Sequence, residues 1–151
     1  MGRYDAFLQK HEKGWRNFMA GSVKELSKYR YERALEELKN AREVFNAGIY
    51  KLALNRSYYA IFFAMRAVNV LDEFDSSKHS GVIAHFNQFH VKTGDFEKVA
   101  SKIIQNAMEM REHADYDDFF LVSKTDAEKQ ISRAEELVGY VKVYLENKEI
   151  I

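Results

Sequence analysis

Apolar residues recur along this chain every three or four positions, not every second one, and that spacing predicts helices throughout. Tyr4, Phe7, Leu8, His11, Trp15, Phe18 and Met19 share one face of an N-terminal helix that Gly21 is expected to end. Ser22 then opens a second helix, with Glu25 at capping-box spacing, and Ala34, Leu38, Ala41 and Phe45 carry its stripe to Gly48. Val82, Ile83, Phe86 and His90 mark a short helix. Phe96, Ala100, Ile103, Ala107 and Met110 mark another after the turn KTGD. The last is the most regular: Thr125 and Glu128 form a second capping box, and Ala127, Ile131, Ala134, Val138, Val141 and Leu145 keep the period. The expected fold class is all-α, a bundle of five to six helices in a single domain over residues 1–151. Residues 1–21 form an additional N-terminal helix in this reading, and residues 22–147 form the core.

One stretch breaks the amphipathic rule. KLALNRSYYAIFFAMRAVNVLDE, from Lys51 to Glu73, is apolar on most sides, as a helix at the centre of a bundle or between two subunits must be. Its polar residues are therefore informative. Asn55, Tyr59, Arg66 and Asn69 follow one another at intervals of four, seven and three and make a single stripe, with Arg56 beside it. Burying an arginine without a partner costs several kcal/mol, about what a whole domain can spare. The stripe must face water, a cleft or another polar surface, and carboxylates of neighbouring helices could instead neutralise Arg56 and Arg66.

Composition narrows the classes of function. The chain has 151 residues, enough for one core, and its 46% hydrophobic content argues against disorder. Lys and Arg total 23 against 23 Asp and Glu, so no overall charge draws it to nucleic acid, although a local basic patch remains open. The absence of Cys excludes disulfide and thiolate chemistry. The most apolar run, YYAIFFAMRAVNVL, is interrupted by Arg66 and Asn69 and is shorter than the ~20 residues a bilayer needs, so it reads as a core helix. With no signal-like N-terminus, no membrane association and a cytoplasmic location are expected. No glycine-rich phosphate loop and no Ser–His–Asp order is found. His79, His85, His90 and His113 have carboxylates nearby, but no pair has the helical spacing of a known metal site, and neither a metal nor a cofactor is expected.

The densest polar chemistry lies in MREHADYDDFF, residues 110–120. Arg111 is four residues after Ala107, which carries its guanidinium to the edge of an apolar face where the stem packs and the head reaches a cleft. Asp115, one turn on, can pair with Arg111 and preset its orientation, while Tyr116 points about 140° away on an unbroken helix. His113 projects opposite Ile104. As an isolated pattern, Arg-x-x-x-Asp is an ordinary solvated helix end.

The segments NRSYYAIFFAMRAV, KHSGVIAHF, VKTGDF and MREHADYDDF, in this order, resemble the HEPN family, the higher eukaryotes and prokaryotes nucleotide-binding domain, in its small stand-alone prokaryotic branch. The resemblance covers residues 23–147. It implies an antiparallel helical bundle, usually a homodimer, with a cleft lined by the helices that carry these motifs. Many members are metal-independent ribonucleases whose motif is an Arg, four to six intervening residues and a His. Here Tyr116 stands where that His would fall, and His113 comes too early. A tyrosine of pKa about 10 is a poor base at neutral pH, where a histidine of about 6.5 would serve. Arg111, His79, His113 and Tyr116 are thus the catalytic candidates, all weak. The binding half of the motif is intact: Arg111 can hold a phosphate through a forked pair of hydrogen bonds, Tyr59 or Tyr116 can stack on a base, and Asn55, Arg56, His79 and Asp115 complete the candidate ligand-binding set. Small HEPN proteins commonly act beside a minimal nucleotidyltransferase as a toxin and antitoxin pair. The resemblance therefore implies a nucleotide or RNA-phosphate-binding module with such a partner. A ribonuclease toxin and a purely protein-binding helical dimer are the alternatives.

Overall fold

The computed structural model describes the backbone of residues 2–151 and the side chains of residues 21–151. Five α-helices carry the described residues: α1 (Gly2–Asn46), α2 (Tyr50–Asn69), α3 (His79–Phe86), α4 (Lys98–Tyr116) and α5 (Lys124–Asn147). A 3-10 turn, Val70–Asp72, extends α2, and a π-helical turn, Asn87–Val91, extends α3. This is an all-α bundle, and among the described residues no helix is long and apolar enough to cross a membrane.

The first helix differs from expectation. Its backbone runs unbroken through Gly21 and Ser22, so Gly21 does not end a helix and Ser22 does not cap one. Glycine in a helix interior costs about 1 kcal/mol, and a continuous helix recovers that by keeping the backbone hydrogen bonds that two new ends would forfeit. The apolar face expected from Tyr4 to Met19 lies outside the described side chains. At its other end α1 stops as the sequence indicates. Gly48 takes φ +82°, its amide donates to Phe45 O at 2.9 Å and Ile49 N donates to Val44 O at 2.9 Å, the paired bonds of a Schellman turn. The turn reverses the chain within three residues and lays α2 against α1.

The second helix is the axis of the bundle and packs on all four others. Leu54, Tyr58, Ile61, Met65 and Val68 are fully buried on it, and Ala53, Ala60, Ala64 and Ala67 have no exposed surface, which lets neighbouring backbones approach closely. Polar ties fix its neighbours: Ser27 Oγ of α1 donates to Ala67 O at 2.6 Å, and Gln130 Nε2 of α5 donates to Leu54 O at 2.8 Å and Ser57 Oγ at 3.0 Å. The final helix begins earlier than Thr125 would have it. Ser123 is the cap, accepting from Asp126 N at 3.0 Å, while Glu128 reaches Arg42 of α1 at 3.1 Å. Both sequences fit a capping box, and the earlier serine wins because the preceding residues leave it extended, at ψ 159°.

Candidate functional site

Three helices bring one cluster together: Tyr58 and Tyr59 from α2, His79 from the first turn of α3 and Arg111 from the last two turns of α4. Arg111 Nη1 lies 2.9 Å from His79 Nδ1, and the Tyr58 hydroxyl lies 2.7 Å from the same nitrogen. The guanidinium also covers aromatic faces, with Cζ 4.8 Å from the Tyr58 ring centre and 5.7 Å from that of Tyr59. His79 in turn stacks on Phe62 at 4.1 Å.

Hydrogen-bond chemistry assigns the imidazole tautomer. Arginine has only donors, so Nδ1 must offer its lone pair, and in the neutral ring the hydrogen sits on Nε2. The charge state follows suit. Burial first, then the positive charges of Arg111 and Arg66, push His79 below the ordinary histidine value. The unfolded imidazole, at about 6.5, takes up its proton at higher pH than the folded one. His79 therefore contributes stability that is present above about 6.5 and lost as the pH falls through the folded value. In an NMR titration, His79 should protonate below the ordinary value, and Arg111→Ala should move it upward while burial still holds it down. An unshifted His79 titration in the variant would show that the two groups do not interact.

The Arg111 side chain also walls a second hollow, of about 450 Å³, with Ile49, Lys51, Leu52, Asn55 and Asp115. Asp115 sits one helical turn on, its Oδ2 3.5 Å from Arg111 Nε. That is an ion pair too long for a good hydrogen bond, and among the described residues Arg111 Nε has no hydrogen-bond partner. Tyr59, His79 and Asp115 thus meet at the Arg111 guanidinium, and Asn55 faces the hollow that Arg111 lines.

Of the remaining candidates, Arg56 adjoins this group but is tied to α1, and Tyr116 and His113 lie at the end of α4. Arg56 Nη1 lies 3.2 Å from Glu37 Oε2 of α1, its Nη2 donates to Asn55 Oδ1 at 2.7 Å, and its guanidinium lies over Tyr59. Glu37 is only 2% exposed, so Arg56 is held by the need to neutralise a buried carboxylate. The polar stripe of α2 divides below Tyr59. Arg66 donates to Asp75 Oδ1 at 2.8 Å, and Asn69 Nδ2 to Val82 O at 3.0 Å. Burial alone would raise the Asp75 carboxyl, but hydrogen bonds from Arg30 and Arg66 outweigh it and hold it below the ordinary value. Tyr116 ends α4 with 79% of its surface exposed. His113 pairs with Asp117, which raises its pKa, and stacks on Phe120 at 5.6 Å. Sequence reasoning missed Tyr58 and Phe62. Both read as core aromatics of α2, and only the packing of α3 against α2 reveals that they seat an imidazole.

A family model described as the HEPN domain matches residues 27–144. The chain belongs to the HEPN family. A protein of Methanocaldococcus jannaschii named "Putative toxin" is 30% identical over 80% of this chain and 82% of its own length. A second of that name from the same organism is 34% identical over 80% of this chain and 87% of its own. A UPF0332 protein of Thermotoga maritima is 31% identical over 79% of this chain and 90% of its own. All three alignments span most of both chains, and two of these three relatives of the HEPN chain are named as toxins.

Proposed function

We propose that this HEPN protein is a toxin-type module that holds a nucleotide or RNA phosphate at Arg111, in partnership with a minimal nucleotidyltransferase. The observation that carries this reading is the convergence of the Arg111 guanidinium, the His79 imidazole and two tyrosine rings from three helices. The Arg111 side chain remains partly exposed on the hollow it lines, and a phosphate oxygen is the acceptor that a guanidinium fork matches best. Tyr59, partly exposed beside it, offers a face for a base. Relatives named as toxins support the biological setting.

The same geometry favours binding over cleavage. His79 gives its lone pair to Arg111 and Tyr58, so the nitrogen left for a ligand is a donor and not a base. His113 is turned to Asp117, whose hydrogen bond raises its pKa, and it lies apart from the Arg111 and His79 pair. The exposed Asp115, Asp117 and Asp118 oppose a long polyanion and favour a nucleotide or a short single strand.

A docking role for the segment after α4 complements this reading. Phe119 is fully exposed at φ +64°, and Leu121 is 86% exposed, an apolar tip suited to a second copy of the chain or to the nucleotidyltransferase. The test is titration of labelled short RNA and of nucleotides with wild type and Arg111→Ala. Saturable binding that the substitution removes supports the assignment, and no binding by either protein overturns it.

A further inference from the structure

His85 and His90 are five residues apart, and on an α-helix they would point about 140° away from each other. The turn that follows α3 is π-helical, closed by Lys92 N donating to Asn87 O at 2.9 Å. Its larger number of residues per turn reduces the angle between the two imidazoles, whose ring centres are 6.1 Å apart. Both then meet a third residue. Asp72, in the turn that ends α2, places Oδ2 2.9 Å from His85 Nε2 and 2.6 Å from His90 Nε2. The three ligating atoms lie within 4.8 Å of one another.

The surroundings hold these atoms in place. His90 is 3% exposed, and its other nitrogen, Nδ1, lies 3.0 Å from Asp95 Oδ2. His85 is stacked against Phe74 at 4.0 Å and flanked by Phe89 at 4.6 Å. A carboxylate on Nδ1–H fixes the histidine tautomer and turns the Nε2 lone pair toward Asp72, the arrangement that orients metal-ligating histidines. At 2.6 Å the Nε2 of His90 and Oδ2 of Asp72 share a hydrogen, and an ion bound to both at about 2.0–2.1 Å would replace that hydrogen and draw the two atoms apart. The π-turn delivers a second imidazole nitrogen to the same carboxylate oxygen, so two nitrogens and one oxygen converge on one point.

We propose that Asp72, His85 and His90 bind a divalent transition-metal ion, with Zn²⁺ the best match. Two imidazole nitrogens and one carboxylate oxygen suit Zn²⁺ and its neighbours, whereas Mg²⁺ and Ca²⁺ require oxygen-rich sets. Three protein ligands leave a fourth position for water. Asp72 is exposed and also borders a hollow of about 330 Å³ with Val23, Lys24, Leu71 and Glu73. The site stands apart from Arg111 and is independent of the reading given above for that cleft.

The test uses untagged full-length protein stripped with EDTA and titrated with Zn²⁺ in a calorimeter, and with Co²⁺ followed by visible absorption. One equivalent per chain should bind, with the intense d–d bands of a four-coordinate Co²⁺ site and a rise in melting temperature that EDTA reverses. Asp72→Asn, which keeps the shape of an exposed side chain, and His85→Gln should each weaken binding about tenfold or more, while His113→Gln leaves it unchanged. Absence of saturable binding to wild type, or affinity unchanged in either ligand variant, overturns the assignment.

Discussion

Replacing Arg111 by alanine should weaken binding of short RNA and nucleotides by about tenfold to a hundredfold. Hydrogen bonds from a charged donor contribute about 1.5–3 kcal/mol, and each 1.4 kcal/mol is a factor of about ten in affinity. Arg111 would supply such bonds through a guanidinium already seated over Tyr58 and Tyr59, so little ordering entropy opposes binding. Stability should fall by about 1–2 kcal/mol, from the lost contacts with His79, Tyr58 and Tyr59 more than from the weak Asp115 pair, so affinity is read well below the variant's melting temperature. Arg111→Lys should fall between the two, since it retains a charge and loses the planar fork. Fluorescence anisotropy at one fixed salt concentration measures all three proteins. Equal affinity for wild type and Arg111→Ala would remove Arg111 from the site.

The second large effect falls on stability. Arg56→Met should lower the unfolding free energy by about 2–3 kcal/mol, and the melting temperature by about 5–10 °C in a domain of this size. The Arg56 guanidinium is 3.2 Å from a Glu37 carboxylate that is buried, and its removal leaves that charge facing only Arg33, 3.6 Å away. Breaking a buried pair ordinarily costs about 3–5 kcal/mol, and the remaining Arg33 reduces the loss. RNA affinity should fall less than in Arg111→Ala, because Arg56 reaches that site only through Asn55 and Tyr59. Thermal unfolding followed by circular dichroism decides the first point. Unchanged stability together with lost binding would return Arg56 to the ligand-binding set.

These two arginines show how far the sequence could be read. Helical periodicity gave the all-α class, the central α2 and the apolar stripe of α5, because burial on one face of a helix leaves a direct imprint on residue spacing. Helix ends were less legible. Gly21 sits within a continuous α1, and Ser123 rather than Thr125 caps α5, since each local signal is worth about 1 kcal/mol and several sites compete. Along α2, Asn55, Tyr59, Arg66 and Asn69 share one stripe in sequence, yet only its upper half meets Arg111. Arg66 and Asn69 are taken up by Asp75 and Val82, partners that lie nine and thirteen residues beyond them. Arg56 answers to Glu37, on another helix, and spacing within α2 carries no trace of it. The π-turn that unites His85 with His90 is likewise invisible to any count based on 3.6 residues per turn.

The central claim is that Arg111 and His79 present one phosphate-binding surface, and imidazole NMR tests it most directly. In ¹⁵N-labelled protein the His79 ring should be neutral with its hydrogen on Nε2, and addition of a short RNA should shift the His79 resonances in wild type but not in Arg111→Ala. A His79 ring indifferent to RNA that still binds, or one carrying its hydrogen on Nδ1, would contradict the account.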